Sequence, residues 1–247
     1  QAKLNFQTSV NSDMMLVFRE FYSPLSKDPG ALTRAEVQAN PRQASTRNVQ
    51  YNAGEEIRQE EMGIRFRQRP AAGKEFSVTG HWLQRDFQSR QAFFDGGQVQ
   101  FDRQVGGLMM QFVNDHILFN RPNRFLIGVD YGIQNDDRQR FNNNYGVRGA
   151  LNLSQIERVQ SVGPFVRNEW NVADKLDLVM GGRWDWLNYQ VKDQFKVDGN
   201  QSGSRTVSQA SGSVGLVYHL TTQQQIYTHV ASVFEAPTTT ELLNNPA

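Results

Sequence analysis

The chain has 247 residues, a formal net charge of +1, 38% hydrophobic residues and a mean hydropathy of −0.60. Near-neutral charge provides no basic footprint for nucleic acid, and the lack of cysteine excludes disulfides and cysteine metal sites. No run of about 18 apolar residues is present to cross a membrane as a helix, but a β-barrel survives that test because only alternate strand residues face lipid.

Opening as QAKLNF, without an initiator Met, a basic region or an apolar leader, the chain is expected to be a processed protein or an internal piece of a longer one. From there, period-two alternation predicts strands near 2–10, 14–22, 57–69, 75–86, 99–113, 124–135, 156–171, 175–192, 206–219 and 225–235. In EMGIRFRQR, Met62, Ile64 and Phe66 oppose Glu61, Arg65 and Arg67. In RFLIGVDYGIQ, Ile127, Val129 and Tyr131 oppose Gly128 and Asp130. In LDLVMGGRWDW, Leu176, Leu178, Met180, Trp184 and Trp186 oppose Asp177, Arg183 and Asp185. Parity fails after Phe112, and YTHVASVF can be phased either way. Most of these spans reach the 9–11 residues that a tilted strand needs to cross a bilayer, against about 5–6 in soluble sheets.

Short connections rich in Pro, Gly, Asn and Asp (69–74, 120–123, 171–175, 220–224) alternate with longer polar ones (86–97, 136–155, 193–204). Ser23 to Glu56 is expected to be a long loop, with a short helix within ALTRAEVQAN. In an up-and-down sheet this rhythm puts tight turns at one end and long loops at the other, as in outer-membrane barrels. Trp82, Trp184, Trp186, Trp170 and Tyr218 lie where apolar runs end, as a headgroup-level girdle requires. Taken singly, each is better explained by the strand preference of aromatic residues; it is their joint placement that points to a girdle.

Chemistry is sparse. His81, His116, His219 and His229 lie in no nucleophile or metal motif, and His81 and His219 fall on polar parity, so solvated or hydrogen-bonded side chains are the expectation. The run QNDD, 134–137, lacks the spacing of a calcium loop and is read as a solvated loop end. Polar parity carries Glu61, Arg65, Arg67, Arg85, Asp130, Arg183 and Asp185, which need water or partners. Arg90, Phe93, Phe94, Arg138, Arg140, Phe141, Tyr145 and Arg148 fall in the expected long loops. Guanidinium and aromatic groups together suit an anionic, ring-bearing ligand, and an ordinary surface loop would hold the same residues.

The C-terminal stretch IYTHVASVFEAPTTTELLNNP resembles the strand-and-loop signature of TonB-dependent outer-membrane receptors, with Phe234, Ala236, Pro237, Thr238, Glu241, Leu242, Asn245 and Pro246 matching. Val233 and Glu235 stand where that family usually has Gly and Arg. Gly181, Arg183 and Asp185 in GGRWD resemble its Gly-x-Arg-Tyr-Asp strand, FLIGVDY resembles a second family strand, and VGPFVRNEW a third. These matches keep family order across the second half of the chain; the first half agrees by rhythm.

The resemblance implies an all-β, antiparallel up-and-down transmembrane barrel, here an incomplete segment of roughly ten strands from a barrel of about 22. Residues 1–247 would all belong to the barrel domain, with the N-terminal plug and the C-terminal strands missing, and the chain alone would neither insert nor transport. It implies uptake of ferric siderophore or a similar metal chelate across a Gram-negative outer membrane, driven by the TonB complex through the plug. Iron would be cargo on its chelate, with no cofactor and no enzyme chemistry, and lipid would be the other partner. A passive porin-like channel, a soluble β-sandwich binding module and an outer-membrane hydrolase are the competing readings.

Overall fold

A computed structural model describes residues 1–244 of the chain. Ten strands form a single antiparallel sheet in strict chain order: β1 (Ala2–Ser9), β2 (Ser12–Lys27), β3 (Gly54–Ala71), β4 (Lys74–Arg90), β5 (Gln98–Leu118), β6 (Arg121–Asn144), β7 (Val147–Ala173), β8 (Leu176–Asp193), β9 (Gly203–His219) and β10 (Gln225–Ser232). β1 and β10 are not paired with each other, so the sheet is not closed. Helices are short: α1 (Arg34–Ala39), α2 (Thr46–Gln50) and α3 (Thr239–Asn244). No helix among the described residues is long and apolar enough to cross a membrane.

Register explains why alternation carries so far. Directly opposed residues share a face of the sheet, and one continuous row runs Leu16, Ile64, Gly80, Leu108, Tyr131, Val162, Trp186. The next row on that face holds Phe18, Met62, Trp82, Gly106 and Ile133. No described residue covers it: Met62, Ile64, Ile127, Met180 and Leu216 are between 38% and 56% exposed. A soluble sheet would bury these side chains; here the apolar face is the outer one.

The opposite face behaves in reverse. Asp136 and Glu157 are each 2% exposed, and Ser77, Leu187 and Tyr189 are buried on the same side. Neighbouring side chains on that face cover these groups, and at Tyr189 so does the segment after β10, whose Pro237 carbonyl accepts from its hydroxyl. Such inverted burial is the pattern of a barrel wall with lipid outside and water inside.

The connections follow turn chemistry, with several departures from expectation. β5 and β6 join through Phe119–Asn120, both with positive φ (51° and 61°), and β3 and β4 join through Ala72–Gly73, with Gly73 at 72°. Strands therefore run deeper into the expected short turns, and β5 continues past Phe112 to Leu118. At the other end the β2–β3 loop is confined to 28–53, holding the expected α1, whose Thr33–Glu36 capping box starts it, and the unanticipated α2. The β4–β5 loop shrinks to 91–97, and the β8–β9 connection shortens slightly, to 194–202.

The large correction lies at 136–155. It is no loop: β6 and β7 continue as a hairpin closed by Tyr145–Gly146, with φ of 49° and 89°. Two successive positive φ values give the tight turn whose twist matches the strands. Polar residues on both faces hide this hairpin from a pattern reading, since above the lipid neither face needs to be apolar. QNDD is accordingly strand, not a solvated loop end, and its Asp136 is buried.

Candidate functional site

The outward face of the sheet changes character toward the long-connection end. Beyond Trp82, β4 presents Gln84, Asp86 and Gln88 outward; beyond Gly106, β5 presents Gln104, Asp102 and Gln100; β6 presents Asn135, Asp137 and Gln139. Lipid cannot accommodate such a belt, so this part of the wall stands above the hydrocarbon layer with water on both sides. Asp86, Asp102 and Asp137 form one cross-strand row. Burial, followed by the charges of Asp86 and Asp137, raises the Asp102 carboxyl above its ordinary value.

On the inner face at the same height, arginines and phenyl rings gather. Phe87 of β4 and Phe101 of β5 are opposed and stacked, with ring centres 4.8 Å apart. The Arg103 guanidinium lies 4.8 Å from the centre of the Phe101 ring. Its Nε and Nη2 donate to the two oxygens of Asp136 at 2.8 and 2.6 Å, and Gln134 donates a further hydrogen bond to that carboxylate at 3.0 Å. Arg138 pairs with Glu157 at 3.5 Å, while Gln155 donates to Glu157 at 2.6 Å. Arg85 of β4 donates to Gln59 at 2.6 Å.

Depth separates the two charges of these pairs. Asp136 and Glu157 are 2% exposed, whereas the Arg103 and Arg138 side chains retain 29% and 17%. The carboxylates lie beneath and hold the guanidiniums in place, and the surface offered to the interior is cationic. Arg140, two residues beyond Arg138 on the same face, has its Nε buried without a hydrogen-bond partner among the described residues. Burial and the neighbouring Arg138 charge lower its guanidinium from the ordinary value, with Glu157 opposing.

Above this wall three connections are clasped by one side chain. Asn143 is 0% exposed. Its Nδ2 donates to the carbonyls of Tyr51 at 3.0 Å and Gln91 at 2.8 Å; its Oδ1 accepts from Gln98 Nε2 at 3.2 Å and the Gly146 amide at 2.8 Å. Its own amide donates to the Phe94 carbonyl at 2.7 Å. Tyr51 and Tyr145 pack with ring centres 5.0 Å apart. The β2–β3 loop, the β4–β5 loop and the β6–β7 hairpin tip are thereby one unit.

The eight residues expected as loop ligands divide accordingly. Only Phe93, Phe94 and Tyr145 lie outside strands, and all three are exposed. Arg90, Arg138, Arg140, Phe141 and Arg148 are strand residues. Arg138 and Arg140 face the interior, whereas Arg90 and Phe141 have outward parity. There Arg90 bonds the Asn52 carbonyl at 3.1 Å, and Arg148 lies 4.5 Å over the Phe141 ring while bonding Gln100 at 2.9 Å. The residues that a loop-centred reading passes over are Phe87, Phe101, Arg103 and Asn143. Parity was the available signal for the first three; nothing local marks Asn143.

The signature residues occupy two places. Arg183 pairs with Asp185 at 2.7 Å on the inner face of β8, and Gly181 lies against the Ser213 hydroxyl. Phe234, Ala236, Pro237 and Thr238 follow β10, and the Pro237 carbonyl accepts from the buried Tyr189 hydroxyl at 2.7 Å. Thr238 and Glu241 make reciprocal hydrogen bonds, which lower the Glu241 carboxyl, and Leu242 lies in α3. Asn245 and Pro246 lie outside the described residues.

With this geometry established, known proteins give a consistent match. The family model described as "TonB dependent receptor-like, beta-barrel" matches residues 7–247. Among solved structures, the unliganded ferric citrate transporter FecA superposes with a TM-score of 0.80 at 13% identity, over 92% of this chain and 34% of that one. The closed form of the ferric-catecholate import receptor Fiu from E. coli K12 gives 0.67 at 9% identity, covering 93% and 42%. BauA, the ferric preacinetobactin receptor of Acinetobacter baumannii, gives 0.66 at 11%, covering 92% and 38%. The chain thus spans between a third and somewhat over two fifths of the length of these structures. With the family model spanning nearly all of it and a sheet that wears its apolar face outward, the chain belongs to the TonB-dependent receptor-like β-barrel family.

Proposed function

We propose that this chain forms wall and outer rim in a receptor that binds and imports a ferric siderophore or similar metal chelate, energised by TonB through a plug domain. Receptors of this family are outer-membrane proteins of Gram-negative bacteria and are transporters. The observation that carries the reading is the cationic, ring-bearing inner face above the apolar band, reached from the side of the long connections. The solved structures named above are a ferric citrate transporter, a ferric-catecholate import receptor and a ferric preacinetobactin receptor, which supports an iron chelate as cargo. Iron travels on its chelate, so the wall needs no resident cofactor, and the work is binding without bond making. The unpaired outer edges of β1 and β10 would leave backbone donors and acceptors without partners in lipid; we place the sheet in a larger barrel that pairs both edges.

Deleting the gene in its host and testing growth on iron-starved medium with a panel of ferric chelates tests this directly. At least one chelate should support growth only when both the gene and TonB are intact. Unchanged growth on every chelate without the gene would defeat the proposal.

A further inference from the structure

At the short-turn end, which faces the periplasm in outer-membrane barrels, a group of polar side chains is set into the otherwise apolar outer face. We propose that Lys74, Arg121 and Trp170, around the buried Asn123–Asn168 pair, form a headgroup site for an anionic phospholipid of the inner leaflet. The site follows from how the barrel sits in the membrane and not from its cargo, so it can fail while the transport reading stands.

Register isolates the group. One outward row runs His116, Asn123, Trp170, Leu178, Leu216, and the next runs Lys74, Asn114, Phe125, Asn168, Met180, Val214. On β8 and β9 both rows are apolar, as lipid requires; on β4 to β7 they are mostly polar. Asn123 is 4% exposed, and its amide and that of Asn168 exchange hydrogen bonds at 3.1 and 2.9 Å. Each of the two amides keeps a second N–H. Trp170 Nε1 is buried with no hydrogen-bond partner among the described residues. Phe119, a turn residue 79% exposed, packs on the Trp170 indole with ring centres 5.8 Å apart. A buried donor without a partner costs free energy, which a phosphate oxygen entering beside the Phe119 ring would recover.

Charge selects the ligand. The acids of this end, Glu75, Asp115, Glu169 and Asp177, have inner parity and are paired there with Arg69, Arg124, Arg167 and His219. The two outward rows hold no Asp or Glu. Lys74 is exposed on that face, with no partner among the described residues. Arg121 commits Nη1 to Asn171 and Asp174 at 3.2 and 3.0 Å, leaving Nε and Nη2 for a phosphate. Asp174 lies in the β7–β8 turn, 93% exposed, and offsets Arg121 only weakly. N–H donors under a net positive charge suit a phosphate whose acyl chains lie along Leu178 and Leu216. A zwitterionic headgroup would bring its own ammonium against Lys74, and a neutral sugar would leave the cations unused.

The test uses the intact receptor as its gene encodes it, purified in detergent and mixed with micelles holding phosphatidylglycerol and phosphatidylethanolamine in equal amounts. Native mass spectrometry counts the lipids retained. The parent should keep phosphatidylglycerol in preference. Lys74→Gln and Arg121→Gln should each weaken that retention about fivefold. Trp170→Phe, which keeps a ring and removes the N–H, should weaken it by a similar factor. Lys192→Gln, which deletes an outward-facing charge at the opposite end, should change nothing. Lys74 is exposed and unpaired among the described residues, so its replacement spares folding, and heat-modifiable mobility checks every variant. Equal retention of the two lipids by the parent, or parental retention of phosphatidylglycerol by the Lys74 and Trp170 variants, overturns the site. An equal loss from Lys192→Gln would mark general charge attraction and overturns it as well.

Discussion

Arg183 of β8 and Asp130 of β6 are joined by a 2.5 Å ion pair that crosses the whole of the intervening strand β7. The crossing is possible because the residue beneath is Gly163, opposed to Asp130 in the ladder: a Cβ there would stand 2.1 Å from Arg183 Nη2. The same guanidinium donates through Nε to Asp185 at 2.7 Å and lies 5.8 Å from the Phe165 ring centre. Three strands are thus tied on the inner face by side chains that lie flat against it. This gives the Gly-Gly-Arg-Trp-Asp signature a physical sense: Arg183 and Asp185 point inward as a pair, and Trp184 between them points out.

Replacing Gly163 by Val should lift Arg183 off the wall and break its bond to Asp130. Arg183 and Asp130 are each 36% exposed, so the coupling is modest, about 0.5–1 kcal/mol in a double-mutant cycle between Arg183→Gln and Asp130→Asn. Urea unfolding of the receptor in vesicles measures it. In a Gly163→Val background the coupling should vanish; a coupling that persists would show that the guanidinium does not need the glycine.

Met180 and Trp184 stand on the outward face of β8, 38% and 47% exposed. Met180→Arg puts a charge among acyl chains and should cost about 2–4 kcal/mol of barrel stability, and Trp184→Arg, nearer the rim, about 1 kcal/mol. Asp185→Asn on the inner face should assemble nearly as the parent does. Heat-modifiable electrophoretic mobility reports the folded fraction, and equal tolerance of all three would mean that the strand is phased the other way.

Asn143→Ala removes four side-chain hydrogen bonds at a fully buried position, so local opening of the rim should become easier by roughly 2–4 kcal/mol. Hydrogen exchange should accelerate together in 28–53, 91–97 and the hairpin tip, while β4 and β5 below keep their protection. Acceleration in a single loop would show that the three connections are not one unit.

Asp102 has its carboxyl raised in the folded sheet, chiefly by burial and then by Asp86 and Asp137. A raised carboxyl binds its proton more readily folded than unfolded, so this row favours the folded state below the ordinary carboxylate range and loses that contribution as pH rises through it. Asp102→Asn should therefore raise the melting temperature at neutral pH, with the gain shrinking as pH falls toward 4, near the ordinary carboxylate value. Thermal unfolding at two pH values checks the sign. A gain that grows on acidification would contradict it.

Alternation in EMGIRFRQR and LDLVMGGRWDW, and turn residues such as Ala72–Gly73, determined the ten strands, their order and which face is apolar, because inside the bilayer every other residue must satisfy lipid while its neighbour satisfies water. That constraint ends where the hydrocarbon ends. From Asp136 to Gln155 both faces are wet, so a hairpin held by its hydrogen-bond ladder reads like a loop, and only the strand pairing revealed it. Pairing between distant strands also decided the site: Asp136 meets Arg103, Glu157 meets Arg138, and Phe87 meets Phe101 because register sets them side by side. Asn143 gathers carbonyls from Tyr51 and Gln91, far apart along the chain, and no local pattern of residues encodes a bond whose partner is chosen by the curvature of the sheet.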